Sequence, residues 1–393
     1  MQSSPPECPV EHLFLLIGKN PLPNYVAARL LAGPQTHVYL VDSSETEPIT
    51  QKLKVALGLD TTHCTRVPVT EANPSSIYEG VLKYAIGKTG LGLNYTGGTK
   101  TMAVHAYQAI CDASDEPGFS YLDARRLEIV LHGKERYLKR QYVGDSASIT
   151  VEELAGIHGI PSVVGVRKPI QADLCRAIAG FQCKGDKFRG DWSSWVNKNG
   201  CKDLPSGDVF NDVLSVMEKI CGDLGLTGKN LADKLGKPKL SSLKEWFNGK
   251  WLESYVLDAI IQLTKGNGMG HLSDYGMNFE CKGYAENTIK DVKFEFDVAL
   301  ILGYQLFAIS CTVSNDKGKC KQKLFEAYIR ARQVGGEEAA VCLVSGDENP
   351  EDLQKEVEKS WDAQGAIRVL GVRHWSDLPA CLEDWIVSRR RER

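Results

Sequence analysis

Short apolar runs alternate with amphipathic stretches over roughly the first 145 residues. The runs His12–Ile17, His37–Val41, Arg66–Val69, Leu91–Tyr95, Phe119–Leu122 and Leu127–Leu131 have the length and make-up of strands. Between them, Asn24–Leu31, Ile49–Leu57, Ser75–Ile86 and Thr99–Ala113 carry the apolar spacing of helices. Strand–helix alternation at this spacing predicts a parallel, Rossmann-like α/β sheet.

The pattern weakens across 149–240. Helical fragments at Val151–His158, Asp173–Gly180, Val209–Leu224 and Asn230–Leu235 are separated by the Gly- and Lys-rich Cys183–Trp192 and the turn-rich Asn197–Asp208, which together read as a helical connector. From 241 a second α/β pattern begins. A helix Lys250–Thr264 and a Gly-rich break at 266–270 precede strands Tyr275–Cys281, Lys293–Ile301 and Gln305–Thr312. A basic helix Lys319–Val334, a strand Ala340–Ser345, a helix Pro350–Ala363 and a strand Ala366–Gly371 follow. The expected organisation is 1–148, 149–240 and 241–393, the last long enough for its own core.

Composition excludes several classes. The 393 residues are 42% hydrophobic and 25% charged, which rules out a collagenous, coiled-coil or mainly disordered chain. A net charge of −3 confines any nucleic-acid contact to a local patch. No apolar run reaches the ~20 residues that span a bilayer. The start Met1-Gln-Ser-Ser-Pro-Pro-Glu-Cys lacks a signal peptide's basic start and apolar core, so a cytoplasmic protein without membrane contact is expected. Twelve cysteines are scattered from Cys8 to Cys381 with no CxxC pair, so reduced, mostly buried thiols are expected rather than disulfides or zinc sites.

Two loops leave the carboxyl ends of predicted strands, where open α/β sheets bind ligands. They are Ile17-Gly18-Lys19-Asn20-Pro21-Leu22-Pro23-Asn24 and Asn94-Tyr95-Thr96-Gly97-Gly98-Thr99-Lys100. Adjacent glycines admit close backbone approach, and a helix start offers free N–H groups to an anion. Hydroxyls and a lysine add to a phosphate-binding character, although the same loop also serves as an ordinary tight turn. The spacing matches neither a P-loop nor GxGxxG, which disfavours ordinary ATP or NAD binding.

GKNPLPN together with LNYTGGTKTMA resembles the CARF domain, the CRISPR-associated Rossmann fold, over the first 145 or so residues. The resemblance implies a homodimer that binds a cyclic oligoadenylate across its two-fold axis. Cyclic tetra-adenylate suits that symmetry. It further implies that Gly18, Lys19, Asn20, Asn94, Thr96, Gly97, Gly98, Thr99 and Lys100 contact the ligand.

In the last third, Asn248-Gly249-Lys250-Trp251-Leu252-Glu253 opens a helix and Lys293-Phe294-Glu295-Phe296-Asp297 lies on a strand. A WLE helix before an ExD strand resembles the PD-(D/E)xK half of CARF effector nucleases, a restriction-endonuclease-like α/β domain. That likeness implies a DNA and/or RNA nuclease of type III CRISPR antiviral defence that depends on Mg²⁺ or Mn²⁺. Asp297 would bind the metal, and Glu253 would join the catalytic set.

The sequence departs from the family pattern on the next strand. Ser310-Cys311-Thr312 stands where ExK supplies a carboxylate and a lysine. Either the site is dead and the chain is a sensor that binds nucleic acid or a partner protein, or these groups have moved to the following helix. There Lys323 and Glu326 sit at i,i+3 and share a face. On the second reading Lys323 and Glu326 are catalytic, and Glu326 joins Asp297 as a metal ligand. A solvated ion pair is the plainer account of the same two residues. Glu295 and Asp297, at i,i+2, point to one face of their strand.

Residues 313–332 carry six basic side chains against two acidic ones, a local charge of +4 that offers a phosphate-backbone contact. The tail Arg389-Arg390-Arg391-Glu392-Arg393 reads as a frayed terminus.

Overall fold

A computed structural model describes residues 10–134, 138–160, 162–199, 201–237, 239–265, 272–283, 292–361, 363 and 365–391. The expected Gly-rich break at 266–270 lies outside the described residues.

The first unit runs β1 (His12–Leu16), α1 (Leu22–Leu31), β2 (His37–Asp42), α2 (Glu47–Ala56), β3 (Cys64–Pro68), α3 (Pro74–Ala85), β4 (Leu91–Asn94), α4 (Lys100–Ala113), β5 (Gly118–Asp123), β6 (Glu128–Gly133) and β7 (Leu138–Tyr142). These strands form a seven-stranded sheet in the order β3-β2-β1-β4-β5-β6-β7. β1 to β5 are mutually parallel, while β6 and β7 add antiparallel. The order places β1 and β4 side by side at the centre. Their following loops therefore emerge together.

The remainder runs α5 (Val151–Ile157), β8 (Ser162–Val166), α6 (Ala172–Gln182), α7 (Asp186–Asn199), α8 (Asn211–Cys221), α9 (Gly228–Lys234), α10 (Leu240–Glu245), α11 (Trp251–Thr264), β9 (Leu272–Gly283), β10 (Val292–Leu302), β11 (Gln305–Thr312), α12 (Lys317–Gly335), β12 (Ala340–Ser345), α13 (Pro350–Trp361), β13 (Ile367–Leu370) and α14 (Leu378–Arg391). Its six strands order as β13-β12-β11-β10-β9-β8, with an antiparallel β9–β10–β11 centre and parallel β11–β12–β13.

Besides the short α10, four parts of the chain differ from the sequence-based expectation. β8 lies inside the stretch expected to be a helical connector and pairs with β9 as the edge of the second sheet. α7 replaces an expected loop because Phe188, Trp192 and Val196, at i, i+4 and i+8, pack into the core despite the glycine and lysines around them. β7 adds a polar edge strand whose composition hid it. The expected frayed tail is helix as far as Arg391, and Glu392 and Arg393 lie outside the described residues. Trp385 and Ile386 are buried, and Arg390 donates to Asp145 Oδ1 (2.6 Å) and to the Tyr142 hydroxyl (2.6 Å), so α14 is tied to the first unit.

Three apolar layers hold the molecule. Phe14, Tyr39, Leu93 and Phe119 on one face of the first sheet pack with α3 and α4. The other face, with Leu13, Leu15 and Leu40, joins one continuous cluster with Ala299, Ile301, Val341 and Leu343 of the second sheet. Leu154 of α5 and Leu324 of α12 lie in that same cluster. The outer face of the second sheet is covered by α6 to α11 and α14, around Trp246, Trp251 and Trp375. The ten described cysteines that can be placed are free and mostly buried.

His158 ends α5 with its Nε2 buried and unpartnered. Burial pushes its pKa from 6.5 to about 4. Between those values the unfolded chain binds the extra proton, so stability is complete above pH 6.5 and declines as pH falls toward 4. The loss is at most about 3 kcal/mol. Urea unfolding at pH 7 and pH 4.5 should show it, and His158→Gln should remove part of the pH dependence.

Candidate functional site

At the carboxyl ends of β1 and β4 the two expected loops touch. A methyl group at Gly97 would lie 2.2 Å from the Leu16 carbonyl oxygen and 3.1 Å from Gly18 N, so only glycine permits this approach. Gly98 has φ +75° in the same turn. Asn24, fully buried, donates to the Leu16 carbonyl (2.9 Å) and supports the loop pair from below. Thr99 caps α4, its hydroxyl accepting from Met102 N (3.2 Å), and α4 starts at Lys100 with no acidic residue in its first turn. The free N–H groups and the positive end of the helix favour an anion here.

The structure separates the expected ligand contacts into two groups. Gly18, Lys19, Gly97, Gly98 and Lys100 present backbone or charge at the loop surface. Asn94 is fully buried, donates to Ser120 Oγ (3.0 Å) and accepts from Thr96 N (3.2 Å). The Thr96 hydroxyl accepts from Leu122 N (2.7 Å). These two side chains therefore shape the loop. Lys19 is paired with Glu45 (2.9 Å), which raises its pKa. Both partners are exposed, so the pair costs little to break. The acidic rim, Glu45 and Glu71, was not signalled by any motif.

Asn20 faces two ways. Its Oδ1 accepts from Leu22 N (3.1 Å), and a methyl group at Gly336, just past α12, would lie 2.6 Å from its Nδ2. Arg125 beside β5 also pairs with Glu337 (3.3 Å). The loop after β1 thus rests against the end of α12.

The second site lies where β10, β11, α11 and α12 meet. Asp297 is fixed from β11 by two donors to its Oδ2, Ser310 Oγ (3.0 Å) and Cys311 N (2.7 Å). Lys323 of α12 brings its ammonium 3.4 Å from the same oxygen. Burial opposes the lysine's charge, but the Asp297 carboxylate prevails and raises its pKa. A cavity of about 180 Å³ opens beside these groups, lined by Glu295, Asp297, Ser310, Lys323, Glu326 and Arg330. Glu326 is exposed at this cavity and one helical turn from Lys323.

Glu253 enters from α11. Burial, then the charges of Asp297 and Glu295, raise its pKa to about 8, with Lys250 and Lys323 opposing. Burial and Asp297 also raise the pKa of Glu295. Asn278 of β9 joins the two. With its amide oriented by its partners, its Nδ2 donates to Glu253 Oε2 (2.6 Å) and Glu295 Oε1 (3.2 Å). Sequence reasoning missed Asn278, which belongs to no motif, and the part of Lys250 in offsetting the carboxylates.

The donor set suits a hard divalent cation. Among the described residues no three His, Cys, Asp or Glu side chains form a ready metal centre. Mg²⁺ commonly takes only one or two carboxylates and completes its shell with water. Asp297 and Glu295 on the shared cavity, with Glu326 at its edge, meet that requirement.

The basic face of α12 is less free than its sequence suggests. Lys317 and Lys321 both pair with Glu356 (3.0 and 2.6 Å), and Lys323 with Asp297. Arg332 pairs with Glu337 (4.0 Å), so four of the six basic side chains have acidic partners.

Crowded carboxylates are a cost in the metal-free protein. At pH 9, above the Glu253 pKa of about 8, Glu253→Gln removes a buried charge from this repulsion and should raise the melting temperature in chelator by about 2 °C or more, whereas at pH 6 the two proteins should melt alike. Differential scanning fluorimetry in excess EDTA reads this directly.

No protein-family model matches the chain, and no curated protein matches its sequence. Solved structures do match. Protein VC1899 from Vibrio cholerae aligns with TM-score 0.69 at 16% identity, over 96% of this chain and 98% of that one. Can2 from Sulfobacillus thermosulfidooxidans, solved in complex with cyclic tetra-adenylate, aligns with TM-score 0.70 at 16% identity, over 96% of this chain and 97% of that one. In described residues no helix is long and apolar enough to cross a membrane. The chain has the fold of these proteins, an N-terminal Rossmann-like domain followed by a C-terminal α/β domain.

Proposed function

We propose that the chain is a cyclic-oligoadenylate-activated, metal-dependent nuclease of type III CRISPR defence, working as a homodimer. The observation that carries this reading is Lys323 at 3.4 Å from Asp297. A lysine reaches the aspartate from α12 although the strand that usually holds it reads Ser310-Cys311-Thr312. This supports a relocated active site over a dead one. The ligand side is supported by the Gly18/Gly97 loop pair and by the cyclic tetra-adenylate held by the protein of matching fold.

Asp297 with Glu295 would hold Mg²⁺ or Mn²⁺, with Glu326 as a further carboxylate at the cavity. A bound cation supplies Lewis-acid activation of water and neutralises phosphate charge. The chain's own residues do the remaining work. Ser310 and Cys311 N–H lock the Asp297 rotamer, Lys323 places a positive charge beside the cavity where phosphate charge develops, and Glu253 can carry a proton near neutral pH. A DNA and an RNA strand present the same phosphodiester to this set.

The deciding experiment incubates the protein with Mn²⁺ or Mg²⁺ and labelled single- and double-stranded DNA and RNA, with and without cyclic tetra-adenylate. Ligand-dependent cleavage is expected, with at least ~100-fold loss in Asp297→Ala and Lys323→Ala and unchanged ligand affinity in both. Ligand binding without cleavage of any substrate would leave the second reading, a sensor that binds nucleic acid or a partner. A second prediction concerns the ligand loops. Lys19→Ala should weaken cyclic tetra-adenylate binding about tenfold, the effect of one charge-assisted hydrogen bond, measured by calorimetry.

A further inference from the structure

Asn278 occupies an unusual place. It is one of four described non-glycine residues with positive φ (+53°), yet it lies inside a strand. The cause is in the pairing. Val164 of β8 stands opposite Glu280 and Val166 opposite Met277, so β9 carries an extra residue at this point. A bulge of this kind bends the strand and re-aims a side chain. On the other side of β9, Phe279 pairs with Phe296 and Met277 with Val298, which puts Asn278 level with Asp297. Asparagine tolerates the left-handed conformation better than most residues.

The re-aimed amide meets two carboxylates, Glu253 Oε2 at 2.6 Å and Glu295 Oε1 at 3.2 Å. Those groups come from α11 and β10, and they repel each other and Asp297. An amide NH₂ has two hydrogens and no charge. It can donate one to each carboxylate without adding a ligand that competes for the cation.

We infer that Asn278 is a positioning residue that clamps Glu253 and Glu295 together beside Asp297 and so sets the affinity of this site for a divalent cation. The inference rests on the metal-dependent reading above. Groups that orient ligating carboxylates typically change metal affinity 10–100-fold when removed.

The test is Mn²⁺ binding to the full-length protein by titration calorimetry, in the absence of nucleic acid. It compares wild type, Asp297→Asn, Asn278→Gly and Asn278→Ala, with cyclic tetra-adenylate affinity and melting temperature as controls. Glycine keeps the left-handed backbone without strain and loses only the amide, whereas alanine loses the amide and strains the bulge. Mn²⁺ affinity 10-fold or more below wild type in both Asn278 variants, with ligand affinity unchanged, is the expected result. Wild-type affinity in Asn278→Gly overturns the clamp, whatever alanine does, because a loss in alanine alone reports the backbone. A wild type that binds no Mn²⁺, or binds it equally in Asp297→Asn, overturns the metal-dependent reading itself and the clamp with it.

Discussion

The two sheets share one apolar layer. Leu13, Leu15 and Leu40 of the first sheet and Ala299, Ile301, Val341 and Leu343 of the second belong to a single packed cluster, with α5 and α12 between them. Interfaces between domains that are small and polar slide and hinge readily, but a large apolar one resists this. Each sheet is therefore held at a set distance and angle from the other. The loop after β1 and Arg125 beyond β5 meet the turn beyond α12 across this layer. Leu324, Ala331 and Val334 root α12 in it, while Lys323 reaches Asp297 and Glu326 lines the cavity beside it.

Electrostatics at the second site run against the fold. Glu253, Glu295 and Asp297 approach one another in a partly buried place, where burial raises the pKa of the first two. A structure selected for stability alone would avoid this crowding, so it points to function. The opposing charges come from Lys250 at the start of α11 and Lys323 on α12, and the neutral donors from Ser310, Cys311 N–H and Asn278. Five separate elements thus supply one small site, which is why no single stretch of sequence displays it.

Legibility followed periodicity. In the first unit, strict alternation of apolar runs and amphipathic helices made β1 to β6 and α1 to α4 readable, and the Gly18 and Gly97 loops fell where the alternation placed them. Gln305–Thr312 and Ala340–Ser345 match the expected strands to the residue, because each centres on a run of apolar residues, Leu306–Ile309 and Ala340–Val344. α7 was missed because glycine and lysine masked its i, i+4 spacing. β8 was missed because a five-residue edge strand carries little signal. Asp297, Glu253 and Lys323 were legible as chemistry-bearing residues in order along the chain. Asn278 was not, because its role comes from a register slip between β8 and β9 that leaves no mark in composition or spacing.

α12 has an end in each site, and that makes it a lever. Its far end abuts Asn20 through Gly336, while Lys323 sits twelve residues back along the helix, about 18 Å away at 1.5 Å per residue. A tilt of about 5° about the far end carries Lys323 through roughly 1.5 Å. That displacement is enough to turn a charge touching Asp297 into one standing clear of it. Gly336 beside Asn20 and Lys323 beside Asp297 stand at two points along α12, so a change in the angle at which the helix meets the Asn20 loop reaches the aspartate as a displacement.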